Sequence, residues 1–235
     1  MKTLATTLAL GTFMTFMAGC AGTADEPNAA SESNMTGAPE AAVTVTTKEI
    51  RSASPECRVA IDWPVVTTPN AQATAAIAKV LAEPVIAGIC DGADEELTLE
   101  QDGSYTVELN EAGLLSIAIA ESHFMSGMSS IGHAWYAHTF DVATGAELKL
   151  SDVLTAEGLK AAEADCNEGL GEDFCAGRFE TSETEEELGF RPRFSLREDG
   201  LVILARVPEE HVIPWSKLPA SSLKPGPVAA WRAGK

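Results

Sequence analysis

The side chains best suited to chemistry lie close together in the middle of the chain. Glu121, His123, His133 and His138 fall in one stretch, with Ser126, Ser129 and Ser130 between them. A carboxylate beside imidazoles is the chemistry of general acid–base catalysis or of a hydrolytic metal site. Glu121 and His123 are two residues apart and share one face of an extended strand. His133 and His138 differ in parity and take opposite faces of theirs. No His-Glu-x-x-His, Gly-x-Ser-x-Gly, P-loop or dinucleotide-binding pattern accompanies them. Two readings follow. The first is a non-catalytic binding surface without metal or cofactor, in which the histidines are satisfied or exposed. The alternative is a metal-dependent hydrolase centred on Glu121, His123 and His133. A binding surface would use Gly127, Gly132 and His133 of the loop over residues 127–133, and the aromatic pair that follows it. Trp135 and Tyr136 are adjacent on a strand, so one turns to the core and the other faces a partner.

Cysteine is the other reactive residue type, and position divides its copies. Cys20 ends a run of small and apolar residues that carries no charge from Leu4 to Met17, behind Lys2. That run suits a signal-peptide core and is shorter than the roughly 20 residues of a spanning helix. The sequence Phe16-Met17-Ala18-Gly19-Cys20 resembles the lipobox of bacterial lipoproteins, with Met17 where leucine is usual. The expectation is a signal peptide over residues 1–19, cleavage before Cys20, and attachment of lipid to that cysteine as a membrane anchor. Ala21 rather than Asp follows it, which in a didermic bacterium favours the outer membrane, facing the periplasm. Residues 20–42 are rich in Ala, Ser, Thr, Asn, Glu and Pro and read as a disordered tether. Cys57, Cys90, Cys166 and Cys175 remain, an even number with three possible pairings. Nearness in sequence favours Cys57–Cys90 and Cys166–Cys175. In the chain-entropy model these loops contribute about 3.7 and about 2.7 kcal/mol as upper values. Absence of Cys-x-x-Cys spacing argues against zinc.

Composition limits the partners. The formal net charge is −19 at pH 7, with 35 acidic against 16 basic residues. Nucleic acid and anionic lipid surfaces repel such a chain, whereas a basic partner, a cation or simple solubility suits it. Acidic runs over residues 91–100 and 180–187 read as solvated loops or faces.

Residues 43–235 are left to fold, with an N-terminal part to 110 and a second part from 111. Alternating patterns over 43–49 and 57–63 read as strands, the second closed by Pro64. The Ala-rich stretch 71–83 reads as a helix with Asn70 as its N-cap, stopped by Pro84. Residues 104–109 and 114–123 form a hairpin around 110–113, and 134–142 form a further strand before the Ala143-Thr144-Gly145 turn. Ser151 reads as an N-cap, and 155–176 as helix-biased. Strands over 194–196 and 200–207 make a second hairpin, and 212–218 a short strand and turn. Hairpins with segregated helices specify an α+β fold, an antiparallel β-sheet with helices packed on one face.

One stretch also resembles a known family. Asp141, Thr144, Gly145, Leu148, Leu150, Asp152 and Leu154 stand as in the Asp-x-x-Thr-Gly-x-x-Leu-x-Leu-x-Asp-x-Leu signature of the RsiV/PdaC-type extracytoplasmic domain. Phe194-Ser-Leu-Arg-Glu-Asp-Gly-Leu-Val and Val212-Ile-Pro-Trp-Ser-Lys-Leu are similar to its closing strands. The loop over 125–133 is longer and poorer in glycine than the family's, and the segment over 205–211 is shorter. The resemblance implies a sensing or binding domain outside the cytoplasm; in RsiV that domain recognises lysozyme, a basic protein. It carries neither a sigma-binding segment nor a deacetylase domain. The expected function is therefore a lipid-anchored cell-envelope module binding a basic, lysozyme-like protein or peptidoglycan.

Overall fold

The computed structural model describes residues 43–85, 89–90, 97–127, 129–171, 175, 194–206 and 209–235. The expected leader over 1–19, Cys20, the tether over 20–42 and the acidic stretches 91–96 and 180–187 lie outside the described residues. Two sheets organise the rest. The first runs in the order β1 (Thr44–Ala53), β2 (Cys57–Thr67), β3 (Leu99–Glu111), β4 (Leu114–Met125), β5 (Gly132–Asp141) and β6 (Ala146–Glu147). The second holds β7 (Phe194–Leu196), β8 (Gly200–Arg206) and β9 (Glu209–Pro214). The helices are α1 (Ala71–Val80), α2 (Leu150–Val153), α3 (Ala156–Leu170) and α4 (Pro227–Ala233).

The fold is α+β and mostly antiparallel, with one parallel pair, β2 with β3. A parallel pair needs a crossover, and α1 supplies it between Thr67 and Leu99. Strand β2 runs through Pro64 instead of stopping there. Its pairing to β3 ends at Ile61, so at Pro64 only β1 lies alongside and a missing N–H is tolerated. Between β3 and β4 the turn is two residues, Ala112 and Gly113, with φ of 50° and 76°. Positive φ at both central positions is the geometry that matches strand twist in a tight hairpin.

Asn70 caps α1 as its side chain predicts, accepting from the backbone N–H of Gln72 at 2.9 Å. The helix ends at Val80, ahead of Pro84, and the Leu81 carbonyl accepts from the indole N–H of Trp63 at 3.2 Å. In the signature stretch, Asp141 accepts from Ala143 N at 3.0 Å and from Thr144 Oγ1 at 3.0 Å. Gly145 then takes φ of 75°, and a Cβ there would lie 2.5 Å from the Ala73 carbonyl oxygen. The turn thus docks against α1, which is why glycine is needed. The cap of α2 falls on Lys149 rather than Ser151, because Asp152 reaches back to accept from the Lys149 N–H at 2.9 Å.

Two cores sit on either side of the paired sheets. Ile61, Ile77, Leu115, Ile117, Ile119 and Phe140 fill the first, between the six-stranded sheet and α1. Leu154, Ala162, Leu196, Leu201, Ile203, Ile213 and Trp231 fill the second, between the three-stranded sheet and the remaining helices. The helices expected on one face are therefore divided between the two sheets. Strand parity places Ser116, Ala137 and Thr139 on the face of the first sheet that meets Val202 and Leu204 of the second. Hydrogen bonds tie the sheets there. The Ser116 hydroxyl accepts from Leu196 N at 2.9 Å and lies 2.8 Å from that of Thr139, which donates to the Phe194 carbonyl at 3.4 Å.

Both expected disulfides form, Cys57–Cys90 and Cys166–Cys175, with Cα separations of 5.8 and 5.9 Å. Such bonds belong to proteins matured in an oxidising, extracytoplasmic compartment. Among the described residues no helix is long and apolar enough to cross a membrane.

Candidate functional site

The register of β4 with β5 decides which of the candidate residues can act together. Glu121 lies opposite Ala134, His123 opposite Gly132, and Ser122 opposite His133. Glu121, His123, Gly132, Tyr136 and His138 therefore point to the α1 side, while His133 and Trp135 point to the other. The trio Glu121, His123 and His133 is split by the sheet itself. Gly132 has a packing role: a Cβ on it would lie 2.3 Å from the His123 ring, which lies over it. Glu121 is half-buried, and its burial pushes the carboxyl above its ordinary value, against the opposing pull of His123. His138 is held by Glu147, Nδ1 to Oε1 at 2.8 Å, and stacks on Phe140 at 6.1 Å. Gly127 takes φ of 92° in an exposed turn beyond β4. Among the described residues no group of three or more metal-ligating side chains converges.

The aromatic pair separates as parity requires. Tyr136 packs against the first core. Trp135 packs against Ala137, Val202 and Leu204, at the margin where the second sheet leaves the first uncovered. A groove opens at that margin, with a volume of about 180 Å³. Its floor is the exposed face of β3 and β4, made of small side chains: Ser104, Thr106, Ala118 and Ala120. Trp135 stands on one side, and Leu204 and Glu210 come from the second sheet.

The charged end of the groove was not legible as a motif. Arg197, just beyond β7, lies between Glu108 of β3 and Glu210 of β9. Its Nη1 donates to Glu210 at 2.6 Å, its Nη2 to Glu210 at 2.9 Å and to Glu108 at 3.2 Å, and its Nε to Glu108. These are forked, charge-assisted bonds, and those to Glu210 and then Glu108 hold the guanidinium even further above its ordinary value. The Glu108 side chain is 9% exposed, Arg197 27% and Glu210 33%. The arginine backbone is pinned as well, its N–H donating to the Gly200 carbonyl at 2.9 Å and its carbonyl accepting from the Trp215 indole at 3.0 Å.

Two β-bulges bring this about. On β3 the register shifts between Val107 and Leu109, so Glu108 and Leu109, though consecutive, both face the second sheet. Leu109 enters the second core and Glu108 enters the groove. On β8 the register shifts between Leu204 and Arg206, beside the Leu204–Glu210 pair. Bulges re-aim single side chains and gather next to binding sites for that reason. Regular alternation, the pattern a sequence reveals, predicts neither.

What the groove can do follows from its charge and shape. Two carboxylates share one guanidinium, leaving one net negative charge in a half-enclosed space beside an indole and two hydroxyls. The oxygens have further lone pairs, and the arginine is too fully engaged to receive an anion.

No family model matches the chain, and no curated protein matches its sequence. Solved structures do resemble it. A DUF3298 family member from Bacteroides fragilis superposes with a TM-score of 0.59 at 14% identity, over 83% of this chain and 99% of that one. A DUF3298 family protein from Pseudomonas aeruginosa gives 0.49 at 15% identity, over 79% of this chain and 95% of that one. At 14% identity the likeness to the Bacteroides protein shows a shared fold, the α+β architecture of a domain of unknown function.

Proposed function

We propose that the chain is a lipid-anchored, non-catalytic binding module of the bacterial cell envelope that recognises a basic protein. The observation that supports it most is the groove beside Trp135, where Glu108 and Glu210 outweigh Arg197 in charge. A chain of net charge −19 also draws a basic partner from a distance, which raises the encounter rate at low salt. The resemblance of residues 141–154 to RsiV/PdaC-type domains points the same way, since in RsiV that domain recognises lysozyme, a basic protein. Anchoring rests on the lipobox-like sequence ending at Cys20 and on the polar stretch that follows it.

Titrating the full chain with lysozyme, and separately with soluble peptidoglycan fragments, tests this reading. Saturable lysozyme binding that weakens steeply with salt is expected. Binding to peptidoglycan alone would replace the protein partner with a cell-wall one. Anchoring is checked in cells: Cys20→Ser moves the chain from the membrane fraction to the soluble fraction, and a variant that stays on the membrane counts against a lipid at Cys20.

A further inference from the structure

The charge and dimensions of the groove reach beyond the class of partner to the group it grips. We infer that the groove seats one basic side chain of a partner polypeptide, its stem against Trp135 and its charged head at Glu210 and Glu108. This rests on the binding reading above.

An anion is unsuited to the groove, because Arg197 makes four hydrogen bonds to the two carboxylates and cannot leave without stranding Glu108. A purely apolar ligand is unsuited too, since it would remove water from carboxylate lone pairs and offer no donor in exchange. Arginine and lysine side chains satisfy both halves. Their methylene stems lie on an aromatic face and their heads carry charge and several N–H donors. Arg197 already forks onto both carboxylates, so the incoming head uses their remaining lone pairs, which the N–H donors of either arginine or lysine can meet. Ser104 and Thr106 on the floor give hydroxyl acceptors for donors that the carboxylates leave over. The groove, about 180 Å³ and open on one side, has room for a single side chain. The groove is open over these exposed floor residues, so a residue standing proud of a protein surface can enter.

The test is a calorimetric or NMR titration of the full chain with a blocked glycyl-arginyl-glycine peptide and with its citrulline counterpart, which keeps the shape and lacks the charge. The arginine peptide should bind saturably and roughly tenfold more tightly than the citrulline peptide, a factor equal to about 1.4 kcal/mol. Trp135→Leu and Glu210→Gln should each weaken it roughly fivefold or more. The second variant sits at the more exposed carboxylate and covers the case in which the first unfolds. Equal binding of the two peptides, or binding unchanged in folded variants, overturns the inference. Spermidine, run in parallel, must bind more weakly than the arginine peptide; if it binds more tightly, the groove is a polyamine site and the inference fails. Lysozyme titrated into the same variants separates the two proposals. Lysozyme binding that ignores both substitutions overturns the groove and leaves the partner standing, whereas peptide binding without lysozyme binding upholds the groove and overturns the basic-protein reading.

Discussion

Arg197→Met is the substitution that most directly tests whether the charged end of the groove is built as described. Methionine keeps the unbranched apolar stem, so packing is largely conserved and the charge is what changes. Glu108 and Glu210 then face each other without the cation between them. Removing one partner of a buried pair costs about 3–5 kcal/mol, because the remaining charge is left without solvent. Water reaches Arg197 and Glu210 in part, at 27% and 33% exposure, while Glu108 at 9% is nearly dry. The expected loss therefore sits at or below the low end, about 2–3 kcal/mol. Urea unfolding of the oxidised protein, followed by circular dichroism, measures it as a lower midpoint at unchanged slope. The double variant Glu108→Gln/Arg197→Met should recover more than half of the loss, since it discharges the drier carboxylate. Glu210→Gln/Arg197→Met should recover less, because Glu210 keeps water. A loss under about 0.5 kcal/mol, the range of exposed ion pairs, would refute the reasoning. So would equal recovery in the two double variants.

Three other outcomes follow from contacts away from the groove. Asp165 is buried, which disfavours its charge, but hydrogen bonds from Lys217 and His211 outweigh burial and hold the carboxyl below its ordinary value. A depressed folded-state value contributes stability above the unfolded value near about 4 and loses it as pH falls through the folded one. Asp165→Asn should therefore lower the melting temperature at pH 7, with the difference beginning to shrink as pH falls below about 4 and vanishing only below the depressed folded value; parallel profiles would count against the contact. Glu121 is the reverse case, raised by burial, so its charged form opposes folding at neutral pH. Glu121→Gln should raise the melting temperature at pH 7, with the gain vanishing towards pH 4, and a gain independent of pH would point to packing instead. Ser116→Ala strands the buried Leu196 N–H and should cost about 1–3 kcal/mol in the same urea assay.

The sequence made the scaffold readable where local chemistry is strong. Asn70 announces α1, the Ala112-Gly113 turn announces the longest hairpin, and Asp141, Thr144 and Gly145 announce the turn that seats α1. Pro64 was misleading because its tolerance depends on where β3 stops pairing, a tertiary fact. Helix α4 carries little signal in the sequence because Pro225-Gly226-Pro227 leads into it, although proline at a first helical position is favourable. Trp135 was recognisable as a candidate from type and parity. Its companions were not: Glu108, Arg197 and Glu210 lie on three strands or turns, and two register shifts bring them together. The histidines drew attention because their type is rare, yet alternation along β4 and β5 sends His133 away from Glu121 and His123.

The parallel pairing of β2 with β3 has a consequence for how the chain folds. Cys57 pairs with Leu99 at the start of that ladder, across a crossover carrying α1 and Cys90. Bringing such distant segments together is the slow kind of contact, since loop closure must precede any pairing. In an oxidised chain the Cys57–Cys90 bond already closes most of that loop covalently when refolding begins. Oxidised chains should refold measurably faster than a Cys57→Ser/Cys90→Ser variant in denaturant-dilution experiments, with the difference in the folding arm rather than the unfolding arm. The order in which the bond and the parallel ladder form as the chain oxidises then governs how long the unpaired edge of β3 is exposed to other chains.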